Sequence, residues 1–422
     1  MAAMHRVASK RLLLLVPTTT YRTEDFMDAA RRLDVDLVVA SERPNTLGEV
    51  FPDHLLALPF ADPDRAAREM VEYARRRPID AVVPVDDGTT VVGAAIAERL
   101  GLRRCNSVGA VAATRNKRLM RERFAKAGVP GPTFTTVSLQ EDAAAAARRV
   151  GYPCVLKPLV LSASRGVIRA DDAAGFVAAR ARIAALLADP EIQALGEGTG
   201  EILVEAFVPG GEVALEGLLV DGALRVLALF DKPDPLDGPF FEETIYVTPS
   251  RLSEATQRTI ADVTAQAARA LGLEDGPIHA ELRLDARATP PAPVMLELAA
   301  RSIGGLCARS LRFGTGLTLE DIILRRALDL PIASLEREGR AAGVMMIPIP
   351  RAGVLEKVEG QDAAAAVPLV EDVTISAHVG ETLVPLPEGH RYLGFIFARG
   401  ADPAAVERAL RDAHARLTFT LR

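Results

Sequence analysis

The run EILVEAFVPGGEVALE at residues 201–216 sets two carboxylates, Glu205 and Glu212, on either side of a short apolar bridge and a Pro-Gly-Gly turn. A strand ending in such a bridge can offer backbone N–H and C=O groups to the edge of a flat heterocycle. Ala206, Phe207 and Val208 would supply those groups. Glu205 would take an exocyclic amine, and Glu212 ribose hydroxyls. The same run also reads as a β-hairpin with charged ends. Its surroundings favour the ligand reading, because lysines stand upstream (Lys117, Lys157) and strand-borne acids downstream (Glu281, Glu297).

Lys157 closes the strand GYPCVLKP and precedes Ser164-Arg165-Gly166. A Ser/Gly turn presents N–H groups that can wrap phosphate oxygens, with the lysine as a point charge. Taken alone, the turn is also an ordinary hairpin loop. Downstream, PIHAELRLD and VMLELAARSIGG are joined by a Pro-rich turn, which sets Glu281 and Glu297 on adjacent strands. Neighbouring acids repel unless a cation lies between them, and hard carboxylate oxygens suit Mg²⁺. The alternative is that one acid points to solvent. Arg301 carries a fork that binds carboxylate or phosphoryl oxygens in pairs. Gly304 and Gly305, ahead of an expected helix, would turn N–H groups toward a developing oxyanion. Lys232 ends a strand over 224–230 and would reach a transferred phosphate. Glu242 and Glu243, in the long acidic loop that follows, read either as facing an amino-group substrate or as solvated loop acids. Lys117, among arginines on a helix, reads by itself as part of a solvated face.

From Asn116 to Gly305 this pattern resembles the ATP-grasp superfamily, and most of all its carboxylate–amine ligases, such as the L-amino acid (dipeptide) ligases. The resemblance rests on Asn-Lys before a helix ending in Gly-Val-Pro, on the Lys157 strand and its Ser/Gly loop, and on Glu297-Leu298-Ala299-Ala300-Arg301-Ser302-Ile303-Gly304-Gly305. It implies ATP as co-substrate and Mg²⁺, or Mn²⁺ in its place, held by Glu281 and Glu297. It also implies Lys117 at the α-phosphate, Lys157 at the α- and β-phosphates, and the 164–166 loop as a mobile lid. The activity implied is ADP-forming ligation of a small carboxylate, an amino acid, to an amine through an acyl phosphate. A carboxylase-type or purine-pathway member, or a non-catalytic ATP-binding module, are the alternatives. Two departures stand out: Ala163 where glycine is frequent, and Ala299 where the family string has a ligating Asn.

The elements that must position these groups follow from periodicity. Strands alternate with helices over residues 11–100, which implies a doubly wound parallel sheet. No GxGxxG follows the first strand, so a dinucleotide site is unsupported. Asp86 and Asp87 end a strand of that sheet, where they either face a substrate or cap a helix. Residues 107–127 read as one long helix stopped by Gly128 and Pro130. Four strands and a closing helix over 403–417 follow the charged stretch at 336–340. With these elements, the resemblance implies an α/β and α+β architecture: an N-terminal doubly wound domain (1–112), central ATP-grasp domains (113–335, with a lid subdomain over about 130–208), and a small C-terminal α+β domain (336–422).

A net charge of −6 without a basic tract argues against nucleic acid as a partner. Three widely spaced cysteines form neither a disulfide framework nor a zinc motif, which fits a reducing compartment. Arg6, Lys10 and Arg11 before the apolar 12–16 run faintly mimic a signal peptide, but that run is short and acids follow it. A first core strand, no membrane partner and a cytoplasmic protein are expected. A homodimer is the base-rate expectation. His378 and His390 stand alone and are read as non-catalytic.

Overall fold

The computed structural model describes residues 10–194 and 198–422. Arg6, and the 195–197 part of the expected 189–200 loop, lie outside these residues.

The amino-terminal unit contains β1 (Arg11–Leu15), α1 (Thr23–Arg32), β2 (Asp36–Ser41), β3 (Leu55–Ala57), α2 (Pro63–Ala74), β4 (Ala81–Pro84) and α3 (Asp87–Arg99). Its strands run parallel in the order β3-β2-β1-β4. Leu12 to Leu15 have no exposed surface, as a strand covered on both faces requires.

The single helix expected over 107–127 is two: α4 (Val108–Arg115) and α5 (Lys117–Ala127). Asn116 between them is extended (φ −112°, ψ 109°), and its side chain accepts from the N–H groups of Arg118 and Leu119. An Asn that satisfies the orphan donors of a new helix start competes with helix continuation.

Next come β5 (Phe134–Ser138), α6 (Ala143–Arg149), β6 (Cys154–Pro158), β7 (Ile168–Ala170), α7 (Ala173–Leu187), the short α8 (Pro190–Gln193) and β8 (Glu201–Ala206). The strands form an antiparallel sheet ordered β5-β8-β6-β7. Leu156 and Ile202 share a core with Phe176 and Ile183 of α7.

The remainder comprises β9 (Glu212–Val220), β10 (Ala223–Lys232), β11 (Ile245–Thr248), α9 (Glu254–Leu271), β12 (Gly276–Asp285), β13 (Ala292–Ala299), α10 (Leu319–Ala327), β14 (Ala341–Ile347), β15 (Gly353–Glu359), α11 (Gln361–Ala365), β16 (Val370–Ile375), β17 (Thr382–Leu383), β18 (Gly394–Gly400), α12 (Pro403–His414) and β19 (Thr418–Leu421). An eight-stranded sheet runs β13-β12-β9-β10-β11-β14-β18-β16. The strands beyond 336–340 therefore do not all stand apart: β14 pairs with β11 and brings β18 and β16 into the central sheet. Only β17, β15 and β19 make a small sheet of their own. β19 has no counterpart among the expected strands.

The run at 201–216 is likewise not a hairpin. β8 belongs to the smaller antiparallel sheet and β9 to the eight-stranded one. Gly210 makes the crossing between them feasible. Its φ is +121°, and a Cβ there would lie 2.0 Å from the Leu284 carbonyl oxygen.

Candidate active site

A cavity of about 470 Å³ is lined by both of these sheets, with Lys157 and Glu205 from one and Glu212, Glu281 and Glu297 from the other. Lys117, Ser164, Arg165, Ala206, Phe207, Val208, Arg301, Gly304 and Gly305 also line it. Gly166 and Lys232 do not. The Gly166 amide donates to the Pro387 carbonyl (2.8 Å), and Lys232 is buried among acids beside the cavity.

Lys117 is not on a solvated face. It is 8% exposed; its Nζ donates to the Leu161 carbonyl (2.6 Å) and lies 3.6 Å from Glu297. The break at Asn116 produces this orientation, since the Lys117 amide starts a new helix by donating to the Leu159 carbonyl (3.0 Å). Lys157 pairs with Glu205 (2.7 Å), whose other oxygen takes Arg121 of α5. Both Glu205 oxygens are thus engaged, so the carboxylate expected to receive an exocyclic amine is an ion-pair centre. Burial acts to raise the Glu205 carboxyl, and Arg121 with Lys157 outweighs it and holds it at about 2.

The loop expected to act as a lid carries Ala163 at φ 55° and Ser164 at φ 54°. Left-handed backbone is uncommon for residues with a Cβ, which explains why glycine would suit position 163. Arg165 Nε donates to the Glu388 carbonyl (2.7 Å), and Arg182 of α7 pairs with the Glu388 carboxylate. The 163–166 loop is therefore tied to the carboxyl-terminal segment.

Glu281 and Glu297 are direct cross-strand partners on β12 and β13. Glu281 also belongs to a tighter group. Glu212, Glu243 and Glu281 each offer a carboxylate oxygen within 4.8 Å of the others. Lys232 Nζ contacts Glu212 (2.7 Å) and Glu243, and lies 3.5 Å from Glu281. Glu212 is accordingly paired with Lys232 and, at 3.8 Å, with Arg283. Burial would lower Lys232, but the three acids raise it well above the usual lysine range. Burial and then Glu281 push Glu243 up. Hard oxygen donors facing one another fit a divalent cation of the Mg²⁺ type, and Ala299 adds no ligand. Lys232 shows that this group accepts a positive charge.

Arg301 donates to Asp87 (2.8 Å) and to the Ser302 carbonyl (2.8 Å). Burial alone would raise Asp87; Arg301 and then Arg115 outweigh it and hold it well below the usual carboxylate range. Asp86 and Asp87, at the start of α3, both line the cavity, and Asp86 also caps that helix, its N–H on the Thr89 hydroxyl (3.3 Å). Gly305 has φ +59°, and a Cβ would come within 2.9 Å of the Phe395 ring. The helix expected after Gly305 is only a 3₁₀ turn, Cys307–Ser310. It is too short for a helix dipole to act on an oxyanion.

Sequence reasoning missed His279, Glu216, Tyr21, Tyr246 and Tyr392. Glu216 touches His279 (3.1 Å), which lines the cavity. Burial would lower His279, but hydrogen bonds to Glu216 and Glu281 raise it to about 9, so it carries a positive charge at neutral pH. A signal was present: His279 precedes Glu281 by two residues and Glu216 follows Glu212 by four, even spacings that put strand side chains on one face. The tyrosines come from segments far apart in the chain, and no spacing joins them. Glu243 lies within the cavity wall, as does His390.

Three family models match successive parts of the chain: an ATP-grasp N-terminal domain over residues 27–102, an ATP-grasp domain over 150–310 and an L-amino acid ligase C-terminal domain 2 over 345–422. The chain belongs to the ATP-grasp superfamily. The L-amino acid ligase of Bacillus licheniformis is similar in structure, with a TM-score of 0.81 and 26% identity over 98% of this chain and 99% of that one. Alanine–anticapsin ligase of Bacillus subtilis is 27% identical over 292 residues, 65% of this chain. The match spans 60% of that curated relative's length. Phosphoribosylglycinamide synthetase of Anaerococcus prevotii shares the fold (TM-score 0.68, 15% identity, 98% of this chain and 100% of that one). Among the described residues no helix is long and apolar enough to cross a membrane.

Proposed function

We propose that this ATP-grasp chain is an ADP-forming ligase that joins the carboxylate of an amino acid to an amine. The observation that carries the reading is the meeting of Lys117 and Lys157 with Glu281, Glu297 and Arg301 on one cavity wall. Lys117 comes to it from α5, Lys157 from the smaller antiparallel sheet, and the oxygen ligands for a counter-ion from the eight-stranded one. The similarity to L-amino acid ligase over nearly the whole chain supports the same reading.

In this mechanism ATP lies along the 205–208 bridge, with Lys117 and Lys157 beside its phosphates. Lys157 reaches them by exchanging part of its contact with Glu205. Mg²⁺, held by Glu281 and Glu297 with Glu243 and Glu212 at hand, would neutralise phosphate charge when bound. The substrate carboxylate attacks the γ-phosphorus, which breaks its bond to the β-phosphate oxygen and yields an acyl phosphate and ADP. Lys232, buried beside the cavity, holds the Glu212, Glu243 and Glu281 carboxylates in place. Glu243, with its proton affinity raised, receives the ammonium of the second substrate and takes a proton from it. The free amine attacks the acyl carbon, and Arg301 and the Gly304 and Gly305 amides balance charge on the oxyanion. Phosphate then leaves, taking up the second proton of the attacking nitrogen, and the amide remains. The work is positioning and charge compensation rather than covalent catalysis.

The test is a phosphate-release screen of amino acid pairs with ATP and Mg²⁺, with nucleotide products resolved by chromatography. ADP and phosphate should form only when both substrates are present. AMP with pyrophosphate would sink the acyl-phosphate route. ADP release driven by bicarbonate instead of an amine would move the chain to the carboxylase class.

A further inference from the structure

Glu216 is a fully buried carboxylate on β9, and nothing in the mechanism above uses it. Its Oε2 accepts from the Ile303 amide (3.0 Å) and faces His279 Nδ1 (3.1 Å). The other ring nitrogen of His279 lies 3.5 Å from Glu281. Glu216 and His279 are direct cross-strand partners, so the pleat itself aims them at each other. Ile303 belongs to the irregular stretch after β13, where no ladder fixes the backbone, and it leads directly into Gly304 and Gly305. The other Glu216 oxygen is buried without a hydrogen-bond partner among the described residues. A buried carboxylate left half satisfied is costly, so its retention calls for a reason beyond packing.

We propose that Glu216 is a positioning residue with two arms: through the His279 ring it orients the metal-binding carboxylate Glu281, and through the Ile303 amide it sets the direction of the Gly304–Gly305 N–H groups. The inference rests on the ligase reading. Ligand carboxylates are generally held by such outer hydrogen bonds, and oxyanion donors act only when their direction is fixed in advance. What is particular here is that one side chain governs both. The two arms should separate experimentally. Substituting His279 cuts only the arm to Glu281, whereas removing the Glu216 carboxylate cuts both.

The experiment uses the full chain and the variants His279→Asn, Glu216→Gln and Glu216→Ala. Mn²⁺ binding in the presence of ADP is read by electron paramagnetic resonance, ADP binding in EDTA by calorimetry, and kcat across a Mg²⁺ titration. His279→Asn should weaken Mn²⁺ binding about 10- to 100-fold, leave metal-free ADP binding within about twofold, and recover kcat at saturating Mg²⁺. Glu216→Ala should show the same metal deficit and keep a kcat loss of about tenfold or more at saturating Mg²⁺. Glu216→Gln retains an oxygen for both donors and should recover most of that kcat. If Glu216→Ala does not fold, His279→Asn carries the test, since weaker Mn²⁺ binding with intact metal-free ADP binding is still required of it. Unchanged Mn²⁺ affinity in all variants overturns the inference. So does full rescue of Glu216→Ala by Mg²⁺, or a parallel fall of metal and metal-free ADP binding that marks a merely structural role. A wild-type chain that binds no Mn²⁺ with ADP overturns the ligase reading itself, and this inference falls with it.

Discussion

Glu205 sits between Lys157 and Arg121 and is 2% exposed. Its folded carboxyl lies at about 2 against an ordinary 4.5. A depressed carboxylate contributes stability that is present above its unfolded value and lost as the pH falls through its folded value. Glu205→Gln should therefore cost about 3 kcal/mol at pH 7 in urea unfolding. The difference from wild type should shrink as the pH is lowered from about 4.5 toward 2, and a pH-independent gap would refute this account. Arg301→Ala should lower kcat by about 10² to 10³ while ADP affinity stays close to wild type. A collapse of ADP affinity would make Arg301 a nucleotide clamp instead. At this scale the sequence was legible where a residue type alone limits the chemistry, as with Lys157 at a strand end or Arg301 before Gly304 and Gly305. It was opaque for pairing. That Glu205 is claimed by Arg121, and Glu212 by Lys232, depends on contacts between segments with no fixed spacing in sequence.

Elements were read well where hydrophobic period is strong, and poorly where a single polar side chain decides. β1, α9 and the β12–β13 hairpin announce themselves through buried runs, a C-cap glycine and a Pro-rich turn. The two-helix break at Asn116 does not, because helical residues continue on both sides. Its outcome rests on two hydrogen bonds from one amide oxygen. Asn116→Ala should remove that cap at a cost of about 1 kcal/mol, seen as a lower Tm. It should also raise the KM for ATP, because the aim of Lys117 depends on where α5 starts. A lower Tm with an unchanged KM would show that the break does not set the lysine. The 3₁₀ turn after Gly305 was missed for a related reason: glycine pairs precede helices of every length.

For the whole molecule, hydrogen bonding crosses the charged 336–340 stretch at which the resemblance sets the start of a C-terminal domain. β11 has all its side chains buried and pairs with β14. A chain ended at residue 340 would leave that strand as an apolar edge, so aggregation and loss of ATP binding are expected. Size-exclusion chromatography and calorimetry on the shortened chain give the check, and a soluble, ATP-binding product would contradict it. Propensity and period fix where strands lie in the chain, but not which edge each joins, so this continuity could not be foreseen.

The bond from the Gly166 amide to the Pro387 carbonyl involves main-chain atoms alone. Apart from proline at residue 166, codon replacement at either position leaves both groups in place, so a mutational scan of these two sites would report mostly indirect effects and would undervalue the fastening. An amide-to-ester exchange at residue 166, introduced by chemical ligation, removes the donor and leaves every side chain unchanged. How much faster nucleotide escapes from that protein would measure the strength of the clasp directly.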